Sequence, residues 1–176
     1  MEQRHATNIL LTGRPGCGKT TVIVRLAECL AGRRIAGFYT QEVREGGRRT
    51  GFGVRTFGGA EGTLSSVHFT RGPRVGRYRV DVEGFEAVIA PELWTPPEQV
   101  NLFLVDEIGK MECFSRRFVA AMRRILDAPV PVVATVAMKG GGFIAEVRQR
   151  PDVALLEVTH QNRDALPRDL ARRFTA

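Results

Sequence analysis

Gly13-Arg14-Pro15-Gly16-Cys17-Gly18-Lys19-Thr20 is the stretch on which the reading of the whole chain turns. Its spacing is G-x-x-x-x-G-K-T, the phosphate-binding P-loop pattern, in which glycines let the backbone curl so that successive N–H groups face an anion. An apolar run, Ile9-Leu10-Leu11, precedes it, and Val22, Ile23, Leu26, Ala27 and Leu30 follow at helical spacing. That is the strand–loop–helix setting in which the pattern becomes informative. The helix beginning near Lys19 adds the positive end of its dipole to the anion site. Lys19 is expected to reach the β- and γ-phosphates and the Thr20 hydroxyl to hold Mg²⁺. Gly13, Arg14, Pro15, Gly16, Cys17, Gly18 and Thr21 complete the expected phosphate cradle. The alternative is a glycine-rich turn capping an ordinary helix; it does not account for the match at every fixed position.

Composition sets the frame around this loop. The chain has 176 residues, 43% hydrophobic and 26% charged, as expected of one soluble globular domain, residues 1–176, able to bury its own core. The net charge is +7 and almost all of it is arginine, since Lys19, Lys110 and Lys139 are the only lysines. A basic balance suits anionic partners, nucleotides or nucleic acid. The arginines are spread along the whole chain, so nucleic acid has no motif behind it and genomic base composition explains the excess as well. Cys17, Cys29 and Cys113 lack C-x-x-C spacing and read as free thiols in a reducing compartment. No apolar run approaches the ~18 residues of a membrane span, and the expected location is the cytoplasm. No exposed heptad argues for assembly, so a monomer is expected.

Farther along, Ile35–Val43 reads as a strand, Arg44–Arg49 as a turn and Thr50–Phe57 as a second strand, together a hairpin. Thr63–Phe69 extends it, which makes about residues 35–80 a β-rich insertion. Arg71–Arg79, with four arginines, reads as a loop: a flap over a nucleotide, an RNA contact, or a plain solvated surface. Gly84–Leu93 and Phe114–Leu126 have helical patterns; Pro131–Ala137 and Ala154–Thr159 read as strands, and Asn162–Phe174 as a closing basic helix. Strand–helix alternation outside the insertion implies a parallel core sheet with helices on both faces.

The second chemical element is Asp106-Glu107, at the end of the apolar run Leu102-Phe103-Leu104-Val105. A buried parallel strand delivers carboxylates in this way at its C-terminal end. Asp106 is expected to organise Mg²⁺ opposite Thr20, and Glu107 to orient or deprotonate the attacking water. A strand-ending acid can also simply cap the next turn. Asp106-Glu107-Ile108-Gly109 fits D-x-x-G, but Lys110 stands where a switch GTPase carries Gln, and no N-K-x-D motif for guanine follows. Lys110 either supplies charge to the transition state or pairs on the surface with Glu107 or Glu112.

Four segments together carry a resemblance: GRPGCGKTT at Gly13–Thr21, GFYTQEVREGGRRTGF at Gly37–Phe52, VDEIGKMECFS at Val105–Ser115 and VTHQNRDALP at Val158–Pro167. In these the chain resembles, over almost its full length, the small THEP-type nucleoside triphosphatases, a family described in animals as cancer-related. The resemblance implies an α/β P-loop NTPase fold, a three-layer sandwich whose parallel core sheet is extended by antiparallel strands. It implies slow, Mg²⁺-dependent hydrolysis of ATP, GTP and other nucleoside triphosphates with little regard for the base. It also implies that Arg44 approaches the phosphates and that Asn162 and Arg163 lie near the base. Arg163 would then stack on any base, and Asn162 would contact the base, cap a helix, or both. Cys113 stands where the family often has an aliphatic residue. Two other classes fit the P-loop: a nucleotide or nucleoside kinase, with Arg71–Arg79 as lid, and a nucleotide-gated RNA binder.

Overall fold

The β-branched and leucine-rich runs of the sequence settle at the centre of one sheet. The computed structural model describes residues 8–175. The parallel part of the sheet consists of β1 (Asn8–Thr12), β2 (Ile35–Glu45), β7 (Leu102–Ile108), β8 (Val132–Val136) and β9 (Val153–Glu157). Between β2 and β7 the chain adds β3 (Arg48–Thr56), β4 (Glu61–Ser66), β5 (Arg74–Val75) and β6 (Tyr78–Val80), all antiparallel to their neighbours. Among the described residues the order is β5-β6-β4-β3-β2-β7-β8-β1-β9. The β1, β7 and β8 strands are apolar nearly throughout because both faces are covered.

Each face has its own core. On β7, Leu102 and Leu104 face one side, and Phe103 and Val105 the other. The first side packs against α1 (Lys19–Cys29) and α5 (Leu166–Thr175). The second packs against α2 (Val82–Leu93), α3 (Arg116–Asp127) and α4 (Phe143–Arg148). Phe38, Phe85 and Phe118 meet there, edge-on or tilted, with ring centroids 5.4–5.9 Å apart, a geometry favoured by the ring quadrupoles. The layers are therefore helix, sheet and helix, with β1 between β8 and β9 and its C-terminal end feeding the P-loop.

The middle of the chain is more regular than its sequence implies. The expected Arg44–Arg49 turn shrinks to Gly46-Gly47, both at positive φ, the conformation of a tight two-residue hairpin turn. Arg44 thus belongs to β2, and Arg48 and Arg49 to β3. The expected Arg71–Arg79 loop is an edge hairpin, Arg74–Val75 with Tyr78–Val80. Two of its arginines bind nearby backbone: Arg74 Nε donates to the Gly76 carbonyl at 2.8 Å and Arg79 Nη1 to that of Gly72 at 3.0 Å. The closing helix starts at Leu166 rather than Asn162.

Candidate active site

The P-loop runs from the end of β1 to the start of α1. Gly13 sits where a Cβ would stand 2.6 Å from the Val158 carbonyl oxygen and 2.8 Å from Cys17 Sγ, so only glycine allows this close approach. Gly18, left-handed, caps α1. The Arg163 side chain lies against it, with Cδ 3.1 Å from where a Cβ would be. Lys19 Nζ folds back onto the Gly13 carbonyl at 3.1 Å and reaches the Arg14 carbonyl at 3.5 Å. Arg14 and Pro15 are exposed and Cys17 is buried beneath the loop.

Opposite the loop, the β7–β8 register shifts between Val105 and Ile108, the kind of irregularity that re-aims side chains at strand ends. Asp106 is 1% exposed. Its Oδ2 accepts from Thr20 Oγ1 at 2.7 Å and from Thr40 Oγ1 at 3.2 Å, and its Oδ1 from Thr135 Oγ1 at 2.6 Å. Three strands and α1 therefore converge on one carboxylate. Glu107 is partly buried, and its carboxyl is pushed up by burial first and by Asp106 second, with Lys19 opposing. Behind it, Glu112 is 6% exposed. Burial, then Glu107, push its carboxyl to about 8. Both carboxyl groups crowd Gly109: a Cβ there would stand 2.8 Å from Glu112 Oε2 and 3.3 Å from Glu107 Oε1.

An open cleft of about 610 Å³ joins these parts. Gly13, Pro15, Gly16, Gly18, Lys19, Thr20, Thr21 and Glu107 all line it. So do Thr40, Glu42, Arg49, Phe52, Ala137 and Met138, which the sequence did not single out. The alternation of β2 places Thr40 and Glu42 on one face, and that signal was available once the strand was read. Arg44 is not among the lining residues: its Nε and Nη2 hold Glu42 Oε2 at 3.0 and 2.7 Å, and Nη1 holds the Gly47 carbonyl at 3.0 Å. Lys110 is exposed after Gly109 and forms no ion pair among the described residues. Asn162 closes its own loop, donating from Nδ2 to the Glu157 carbonyl at 2.8 Å and accepting the Thr159 N–H at 2.9 Å; its side chain does not cap α5, which begins four residues later.

Among the described residues no group of three or more His, Cys, Asp or Glu side chains forms a metal cage. Thr20 and Asp106 instead present hard oxygen atoms in contact with each other. That donor set fits Mg²⁺, which takes one or two protein oxygens and completes its shell with water and substrate phosphates.

The model of a family described as NTPase matches residues 8–171. Nucleoside-triphosphatase THEP1 of Thermofilum pendens is 45% identical over 176 residues, covering 97% of each chain. The human cancer-related nucleoside-triphosphatase is 41% identical, with 94% of this chain and 95% of that one covered. The crystal structure of THEP1 from Aquifex aeolicus superposes with a TM-score of 0.87 at 38% identity, covering 96% of this chain and 99% of that one.

Proposed function

The chain belongs to the nucleoside-triphosphatase family that its residues 8–171 match, and from that premise we propose that it hydrolyses ATP, GTP and other nucleoside triphosphates to diphosphate and phosphate, with Mg²⁺ and with little selection among bases. The observation that carries the reading is the 2.7 Å contact between Thr20 and Asp106. It joins the P-loop to the β7 acid beneath the cleft that Thr20, Lys19 and Glu107 line.

The P-loop N–H groups and Lys19 receive the phosphates, and Lys19 exchanges the Gly13 and Arg14 carbonyls for phosphate oxygens. Thr20 and Asp106 would hold Mg²⁺, which would supply neutralisation of the phosphate charge. Glu107 takes a proton from water as the water oxygen bonds to the γ-phosphorus. The bond from that phosphorus to the β–γ bridging oxygen breaks, and its electron pair leaves with the diphosphate. The proton on Glu107 returns to solvent, so one water is consumed and one phosphate released. Burial keeps the Glu107 carboxyl more basic than an ordinary one, which favours its use as a base. Thr40 and Thr135 hold Asp106 still through their hydroxyls.

Loose base selection is supported by Arg163. Its side chain lies beside Gly18 at the rim of the phosphate cradle, and a guanidinium plane stacks on purines and pyrimidines alike. We further take residues 1–176 as one domain with a β-rich insertion at about 35–80, working as a cytoplasmic monomer. The free thiols Cys17, Cys29 and Cys113 suit that reducing compartment.

Phosphate release from each triphosphate, measured with Mg²⁺ and with EDTA, tests this reading. Turnover is expected without any acceptor, at similar rates for the four bases, and none in EDTA. Phosphate transferred only onto an added nucleoside or nucleoside monophosphate would make the protein a kinase instead. Glu107→Gln is expected to bind nucleotide normally and to lose at least about 10²-fold in kcat; undiminished turnover would remove Glu107 as the base.

A further inference from the structure

We propose that Arg49 is a catalytic residue of this hydrolysis, a built-in arginine finger whose guanidinium contacts the γ-phosphoryl group and neutralises the charge that develops there. The proposal rests on the hydrolase reading above and adds to it a group from the β2–β3 hairpin.

The hairpin aims Arg49 by a register shift. Glu42 pairs with Phe52 and Val43 with Gly51, but Arg44 pairs with Arg49, so Thr50 is the extra residue of a bulge. Strand alternation alone would put Arg49 and Phe52 on opposite faces. The bulge turns Arg49 onto the face of Glu42 and Phe52, which is the face that borders the cleft. Among the described residues lining the cleft, Lys19 and Arg49 are the two cations.

Arg49 is also held in place before any substrate arrives. Its Nε donates to the Tyr78 hydroxyl at 2.9 Å and its Nη1 to Glu42 Oε1 at 2.8 Å. The guanidinium carbon lies 5.1 Å from the Phe52 ring centroid and 5.8 Å from that of Tyr78. A planar cation held against the edge-on pair of Phe52 and Tyr78 rings, whose centroids lie 5.5 Å apart, loses little freedom on meeting a phosphate. Glu42 is its resting counter-ion, and a triphosphate brings the negative charge that replaces it.

In the step itself, water attacks the γ-phosphorus, the bond to the bridging oxygen breaks, and the diphosphate leaves with the electron pair. Negative charge is then spread over the γ-oxygens and the bridge. Lys19 meets that charge from the P-loop, and Arg49 meets it from the β2–β3 side. An arginine in this role speeds phosphoryl transfer by about 10³-fold or more.

The test compares single-turnover hydrolysis and diphosphate affinity in the full-length wild type, Arg49→Ala, Arg49→Lys and Arg55→Ala. Arg55 lies on the same strand, exposed and paired with Glu61, and controls for loss of a β3 arginine. Wild-type turnover tests the hydrolase reading by itself. Given that turnover, Arg49→Ala is expected to lose about 10³-fold in rate with diphosphate affinity within about threefold, and added guanidinium ion is expected to restore part of the rate. Arg49→Lys is expected to remain strongly impaired, because an ammonium cannot keep the fork to Tyr78 and Glu42; it carries the test if Arg49→Ala does not fold. Hydrolysis by Arg49→Lys or Arg49→Ala within about threefold of wild type would overturn the proposal. So would equal losses of rate and diphosphate affinity with no rescue by guanidinium.

Discussion

Asp106 shows how much of the site depends on residues that carry no charge. Its carboxylate is buried, and three threonines from α1, β2 and β8 donate to it. Thr135 is the most enclosed of them, fully buried and 2.6 Å away. Thr135→Val keeps the volume and deletes the donor, leaving a buried carboxylate oxygen short of a partner. The expected cost is about 1–3 kcal/mol in urea unfolding, with weaker Mg²⁺ dependence of nucleotide binding; an unchanged midpoint would mean that the contact is idle. Glu112 gives a pH signature of opposite character. Its folded carboxyl is raised from 4.5 to about 8 by burial and by Glu107, so the folded protein holds a proton there that the unfolded chain releases. This contribution is fully present below about 4.5 and is lost as pH rises through about 8. Glu112→Gln removes the titration. Melting without nucleotide at about pH 5 and about pH 8.5 is therefore expected to show the variant gaining on the wild type at the higher pH, and parallel behaviour at both would refute the assignment. Lys19, Thr20, Asp106 and Glu107 were legible in the sequence because their spacing from glycines and apolar runs is fixed by covalent geometry. Thr40, Thr135 and Arg49 were not, because an isolated Thr or Arg has no such signature.

Between elements, the closest approach is β2 against β7. A Cβ on Gly37 would stand 1.8 Å from the Leu104 carbonyl oxygen, and its φ of +128° is one that L side chains rarely adopt. The Gly37 N–H is held by Glu92 Oε2 at 3.0 Å, while Oε1 of the same carboxylate accepts from Gly58. One side chain of α2 thus fastens the start of β2 to the turn after β3. Gly37→Ala has to pry β2 from β7, at an expected cost of at least about 2–3 kcal/mol, read as a lower urea midpoint; a neutral effect would show that the strands separate freely. The apolar runs and the 3.6-residue patterns of α1 and α3 identified those elements by composition. The β2–β3 bulge was not legible, since a one-residue register shift depends on how two strands pair and leaves no mark on either strand alone.

Taken as a whole, the molecule places its binding groups on segments that meet only when the sheet is closed. Gly13–Thr21 leaves β1, Asp106 and Glu107 end β7, and Glu42 and Arg49 belong to the β2–β3 hairpin; seven residues of the loop, Glu107, Glu42 and Arg49 line one cleft, and Asp106 sits beneath it in contact with Thr20. A ligand bound there favours the folded chain by mass action, about 2.7 kcal/mol at a hundred times its dissociation constant. Mg²⁺ with a slowly hydrolysed triphosphate analogue is accordingly expected to raise the melting temperature by similar amounts for adenine, guanine, cytosine and uracil at equal saturation. Lys19→Ala is expected to abolish the shift. A shift confined to one base would contradict loose base selection and point away from stacking on Arg163.

The sequence by itself determined the P-loop, the acidic strand end, the α/β alternation and the position of a β-rich stretch, because each is set by local spacing and by the alternation of apolar residues. Only the tertiary structure decided that Arg49 and not Arg44 borders the cleft, that Asn162 serves its own loop, and that Arg74 and Arg79 lie on an edge hairpin and bind backbone carbonyls. Those outcomes depend on strand register, on a bulge and on which polar groups find each other across the sheet. They are long-range pairings, and a chain read one residue at a time does not contain them.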